Sequence, residues 1–136
     1  MPRRVRTEDL LGRIRQAQSP DRTFLVAIDG HGGAGKSSLA QRLADEIDGA
    51  VVHADDFGGH GKPYDAWDWE RFAEQVAGPL LAGRTARYQR YDWDADQLGE
   101  WDEIKPGGLV IAEGVSVTRR ELDVPWHATV WVECPY

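Results

Sequence analysis

The stretch Asp29–Leu39, DGHGGAGKSSL, carries two phosphate-binding signatures laid over each other. Gly30, Gly32 and Gly35 spell G-x-G-x-x-G, the dinucleotide fingerprint, while Gly30, Gly35, Lys36 and Ser37 spell G-x-x-x-x-G-K-S, the Walker A loop. Both follow a strand and open a helix, and both use glycines so that backbone N–H groups can approach a phosphate at the positive end of the helix. A dinucleotide site also calls for an acid roughly 20 residues further on, and Asp55 stands there. Lys36-Ser37 decides between the two. A pyrophosphate joining two nucleosides needs no ammonium and no metal-binding hydroxyl, whereas a terminal triphosphate uses both: Lys36 on the β/γ-phosphates and Ser37 on Mg²⁺. Gly30, Gly32, Gly33, Ala34, Gly35, Lys36, Ser37 and Ser38 are therefore the candidate nucleotide-binding residues.

The surrounding periodicity supplies the context this motif requires. Phe24–Ile28 is a short apolar run of the kind a buried parallel strand needs, and Ser38–Ile47 places Leu39, Leu43 and Ile47 on one helical face. Upstream, Thr7 is placed to cap a helix carrying Leu10, Leu11, Ile14 and Ala17, which closes near Ser19-Pro20. Ala50–Ala54, Leu109–Ala112 and Ala128–Val132 read as three further strands. Strands alternating with helices imply an α/β fold with a parallel sheet and a ligand site outside the carboxyl ends of the strands, where Asp29, Asp55 and Glu113 fall. Between the second and third runs lies an aromatic, acidic insert over residues 58–105. In it, residues 68–76 form an amphipathic helix expected to stop by Gly78-Pro79, and Arg87–Trp93 and Glu100–Ile104 are expected to pair as a ribbon over the site. With no repeat and no linker, one domain over 1–136 is expected, with an N-terminal helical segment over 1–22.

Composition narrows the partners. A net charge of −7 over 136 residues disfavours nucleic acid and anionic membranes, leaving small molecules. A lone cysteine, Cys134, excludes an internal disulfide framework and fits a reducing compartment. Glu8 and Asp9 interrupt the place a signal peptide would need its apolar run, and a cytoplasmic location is expected. Two lookalikes fail. Asp56-Phe57-Gly58 spells D-F-G without an H-R-D loop, and Asp55 with Gly58 fits D-x-x-G without any N-K-x-D.

Phosphoryl transfer still needs a carboxylate to orient an attacking hydroxyl and take its proton. Asp55, with Lys36 on the phosphates, makes the candidate catalytic pair; Glu113 resembles a Walker B acid, and Ser37, Asp55 and Glu113 form the candidate metal set. The plainer readings are a turn cap for Asp55 and a structural buried acid for Glu113. Asp56 stands between a supporting group and a cap.

IDGHGGAGKS ending at Ser37, HADDF over His53–Phe57, Tyr91-Asp92-Trp93 and LVIAEG over Leu109–Gly114 occur in an order that resembles the uridine kinase and phosphoribulokinase-like branch of P-loop kinases. The likeness runs from residue 23 onward. It implies a P-loop NTPase fold with three α/β/α layers, strands ordered 2-3-1-4 with a fifth expected and missing, ATP and Mg²⁺ as cofactors, and a nucleoside as acceptor. It also implies that Asp55 acts as base, that Glu113 helps hold Mg²⁺ and that Tyr91 packs on the acceptor base.

Several features depart from that pattern. Asp94–Leu98 stands where uridine kinases carry a Thr-His-Ser-Arg type reader. Trp67, Trp69 and Trp93 offer a substitute platform, with core packing the plainer role for each. Arg87 and Arg90 are candidates for an acceptor phosphate or solvated ribbon charges. His31 reads as a spacer, and His53, His60 and His127 make no zinc spacing with Cys134. Family members carry a lid with arginines after the fourth strand; here Arg119 and Arg120 precede it and read as the start of a crossover helix. The expectation is ATP-Mg²⁺ binding with slow transfer, relieved by downstream sequence or by self-association along an open sheet edge. The alternative function is a regulatory ATP-binding module with no acceptor.

Overall fold

The computed structural model describes residues 6–31, 35–59, 67–118 and 124–133. Helix α1 (Thr7–Ala17) leads into strand β1 (Thr23–Gly30), helix α2 (Lys36–Ile47) and strand β2 (Ala50–His53). A 3₁₀ turn, Ala54–Phe57, follows. The next helical rod is built in three pieces: α3 (Trp69–Phe72), a π segment (Ala73–Ala77) and α4 (Gly78–Leu81). Strands β3 (Ala86–Asp92) and β4 (Gln97–Ile104) form an antiparallel ribbon, and β5 (Gly108–Glu113) and β6 (Ala128–Val132) return to the main sheet. That sheet is parallel, in the order β2-β5-β1-β6. This is the 2-3-1-4 arrangement of the four apolar runs, with the ribbon standing apart. No described helix is long and apolar enough to cross a membrane.

Period-two alternation along the strands sorts the core into two faces. Val26 and Ile28 of β1 and Leu109 and Ile111 of β5 pack with Leu10, Leu11, Ile14, Ala40, Leu43 and Ala44 of α1 and α2. Leu25, Ala27, Val52, Val110 and Ala112 face the other way, onto Phe57, Phe72, Val76, Leu80, Ala86, Tyr88 and Ile104. Both central strands are covered on both sides, which is why they read as unbroken apolar runs. Much of the 58–105 insert is therefore the second cover of the sheet. Phe57 and Phe72 meet edge to face at 5.4 Å and Trp67 meets Phe72 at 5.6 Å, so the aromatic density of the insert builds a core. Each fully buried aromatic or aliphatic side chain there contributes roughly 1.5–3 kcal/mol.

Local sequence explains the departures from expectation. Thr7 is the first helical residue and makes no cap; the N-cap is Arg6, without a side-chain bond. The rod does not stop at Gly78-Pro79 but continues to Leu81. Pro79 has no N–H to give, and its ring would press on the carbonyl four residues back, that of Gln75. The chain widens by one residue instead, so that Gly78 N–H donates to Ala73 five positions earlier, and the helix passes the proline. Strand β2 also ends two residues before Asp55, which lies in the 3₁₀ turn.

Candidate functional site

Strand β1 delivers the glycine loop, and α2 begins at its far side. Gly32, Gly33 and Ala34 lie outside the described residues, as do His60, Arg119, Arg120 and Cys134. Gly35 sits at the N-cap of α2 with φ 95°, a left-handed conformation that glycine adopts without penalty. The first turn of α2 holds no acid, and its N-cap provides no side-chain hydrogen bond. Among the described residues no side chain caps its leading amides, an arrangement that attracts an anion. Lys36 is buried, and its Nζ donates to the carbonyl of His31 at 2.7 Å, across the base of the loop. Ser37 and Ser38 are exposed beside it. His31 also meets the ring of Trp131 edge-on at 5.4 Å.

Glu113 closes β5 directly beside the end of β2. The register pairs it with His53, and His53 Nδ1 donates to Glu113 Oε1 at 2.6 Å. The Ser37 hydroxyl donates to the same oxygen at 3.2 Å. Glu113 is only 6% exposed, and these two donors offset part of the cost of burying its carboxylate by pairing Oε1. The carboxylate in turn raises the pKa of His53 through the hydrogen bond, against the opposing effect of partial burial. At the next residue, Gly114, a Cβ would lie 2.3 Å from that of Ala54, so glycine lets the tips of β5 and β2 approach.

Asp29 has a different task. It is buried, and its carboxylate accepts from Gly30 N–H (2.7 Å), Ser116 N–H (2.9 Å), Thr118 N–H (3.1 Å) and the Thr118 hydroxyl (2.5 Å). It ties the tip of β1 to the segment after β5, and so sets the loop's point of departure.

Asp55 is exposed on the 3₁₀ turn, two residues beyond His53, and Asp56 is half-buried. Burial pushes the Asp56 carboxyl above the usual range, partly offset by His53 and Arg90. The turn is held from behind by Arg71, which donates to the carbonyls of Asp56 (2.9 Å) and Gly58 (3.2 Å) and lies 5.1 Å over the Phe57 ring. From the ribbon, Trp93 Nε1 donates to the Asp55 carbonyl at 2.9 Å while its indole lies against Gly58. Tyr91 meets Trp93 edge-on at 4.9 Å, and its hydroxyl bonds the Asp96 carboxylate.

Sequence-predicted residues thus separate. The contacts form three groups, Lys36 on His31, Ser37 on Glu113 beside His53, and Asp55 with Trp93 and Tyr91, and the last two meet where His53 at the end of β2 leads into the Asp55 turn. Trp67 is core, and Trp69 packs against it. Arg90 pairs with Glu100 at 3.2 Å, and Arg87 with Glu103 at 3.2 Å beneath the Trp101 ring. The roles of His53 and Asp29 emerge only from the structure. For His53 a signal existed: it stands two after Val51, as Glu113 stands two after Ile111, and strand alternation puts each on the face of its predecessor.

The donor set fits the nucleotide and metal that the motif implies. A hydroxyl and a carboxylate oxygen 3.2 Å apart suit a hard, oxygen-seeking cation. Among the described residues no cluster of three or more His, Cys, Asp or Glu could hold a metal alone. Ser37 and Glu113 are the one or two protein ligands that Mg²⁺ would take while phosphates and water complete its shell.

No protein-family model matches the chain, and no curated protein matches it. Among solved structures it is similar to a protein described as a possible uridine kinase from Bacillus stearothermophilus, with a TM-score of 0.77 and 23% identity over 95% of this chain and 80% of that one. It is also similar to a candidate fructose transport system kinase from Silicibacter sp. TM1040, with a TM-score of 0.74 and 23% identity over 97% of this chain and 76% of that one. With its parallel β2-β5-β1-β6 sheet, the chain has the fold of the P-loop kinases.

Proposed function

We propose that the chain is an ATP- and Mg²⁺-dependent kinase that passes the γ-phosphoryl group to a hydroxyl of a small molecule, with a nucleoside as the leading acceptor. One observation carries this reading: a phosphate-type helix start bearing Lys36 and Ser37 shares a sheet end with an acid-bearing turn that Trp93 walls. A module that only binds nucleotide uses the first and has no use for the second.

In this account the α2 amides and Lys36 hold the phosphates, and Ser37 with Glu113 would hold the metal. When bound, Mg²⁺ neutralises the charge on the phosphate oxygens. Asp55, exposed at the mouth, takes the proton of the acceptor hydroxyl as the new bond forms. Its turn is short and its main chain is held by Arg71 and Trp93, so the backbone that carries the carboxylate is fixed at the strand end and less freedom is lost on reaction. Trp93, 43% exposed, offers an aromatic face that can receive a flat ring, whereas Tyr91, only 5% exposed and bonded to Asp96, supports it edge-on from behind instead of meeting the acceptor itself. The names of the two structural neighbours point to different small molecules; this surface favours the flat nucleobase over a sugar alone. Both arginines pair across the ribbon, Arg87 with Glu103 and Arg90 with Glu100, and Arg90, whose charge also acts on Asp56 beside the proposed base, is the better placed of the two for the acceptor side.

Incubation with ATP-Mg²⁺ and a panel of nucleosides, sugars and small alcohols tests the proposal. ADP formation should exceed the acceptor-free background for one or more nucleosides. ADP release that is the same with every acceptor as with none would contradict the kinase reading and favour a nucleotide-binding module.

A further inference from the structure

We infer that His53 is a positioning residue for Glu113, fixing the carboxylate that faces Ser37 so that the pair can serve a divalent cation. The inference rests on the metal role proposed for Ser37 and Glu113. Three observations carry it. His53 and Glu113 are register partners on adjacent parallel strands, so their side chains leave the same face of the sheet side by side. The Nδ1–Oε1 distance is 2.6 Å, the short contact of a charge-assisted hydrogen bond. And among the described residues Glu113 has only His53 and Ser37 as partners, with no lysine or arginine between them.

The arrangement has a consequence for a metal. Both donors fall on Oε1, so Oε2 receives no hydrogen bond from a described residue and keeps its lone pairs for a further donor. If Ser37 turns its hydroxyl towards a cation, Glu113 loses that donor and His53 alone holds the carboxylate. Without it, a buried anion at a strand end would rotate or recruit water, and the pair would lose its geometry. His53, with its side chain 45% exposed, reaches this position from the solvent side and can be altered without opening the core.

The test is calorimetric titration with ADP at a series of MgCl₂ concentrations, on wild type, His53→Leu and His53→Asn. Asn places an amide N–H₂ near the Nδ1 position, whereas Leu offers no donor. His53→Leu should need about 10-fold more Mg²⁺ for half-maximal enhancement of ADP binding, the usual scale for losing a group that orients a metal ligand. Metal-free ADP affinity should be unchanged, and His53→Asn should recover most of the loss. In a Glu113→Gln background, His53→Leu should add nothing, because its effect is exerted through the carboxylate. An unchanged Mg²⁺ requirement in His53→Leu overturns the inference. So does an equal loss of metal-free affinity, or additivity in the double variant, which mark a general structural role. A wild-type chain whose ADP binding ignores Mg²⁺ overturns the underlying metal assignment, and this inference with it.

Discussion

The indole N–H of Trp93 donates to the main-chain carbonyl of Asp55 at 2.9 Å, across 38 residues of sequence. One contact thus joins the tip of the ribbon to the turn that carries the proposed base. The packing beneath it is tight: a Cβ at Gly58 would lie 2.4 Å from the Trp93 ring. Gly58→Ala should displace the indole, and Trp93→Ala should remove it. Both should raise the acceptor KM and lower kcat by about 10-fold, since misplacing a positioning group by an ångström is costly. ATP affinity, measured by titration, should stay within experimental error of wild type.

Lys36 is buried with its Nζ on the His31 carbonyl. Lys36→Ala removes a point charge from the phosphates and one tie within the loop, and takes nothing from either apolar cluster. Calorimetry should show ATP-Mg²⁺ binding weakened by at least 10-fold, with an unchanged far-ultraviolet circular dichroism spectrum.

Asp29 predicts a stability effect. Its carboxylate serves three backbone N–H groups and a hydroxyl, and an amide oriented to accept from some of them must turn its own N–H₂ towards the others. Asp29→Asn should cost about 2–3 kcal/mol, read from the urea midpoint, because charged acceptors are lost and buried donors are left unpaired. An unchanged midpoint would remove Asp29 from the account of how the loop is placed.

How legible these parts were follows from how local their causes are. The strand before the glycine loop and the one ending in Glu113 could be read because both are covered on two faces, and burial wrote continuous apolar runs into the sequence. The pairing of Arg87–Trp93 with Glu100–Ile104 is legible in outline, but the register shift between Gln89 and Tyr91 that turns Tyr88 and Tyr91 to the same buried side is not. The rod's passage through Gly78-Pro79 is not legible, because a π turn absorbs the proline and no residue pattern announces it. The partnership of His53 with Glu113 lies in the register of two strands 60 residues apart, which no local spacing encodes. Asp29 was noticed at a strand end, but its partners Ser116 and Thr118 come from the far side of β5. The tryptophans needed three dimensions as well: Trp67 lies in the core and Trp93 is exposed against the Asp55 turn, although both are rings within one acidic insert.

The central claim is that Asp55 performs chemistry and does not merely cap its turn, and a single-turnover comparison tests it most directly. Wild type and Asp55→Asn, each loaded with ATP-Mg²⁺, would be mixed with the nucleoside that gives the highest rate, and the phosphorylated product followed in time. Asp55→Asn keeps the size and the Trp93 bond, which uses the main-chain carbonyl, and loses only the proton acceptor. The account predicts transfer slowed by about 100-fold or more with ATP affinity retained. Transfer by Asp55→Asn at the wild-type rate would contradict it and assign the base elsewhere.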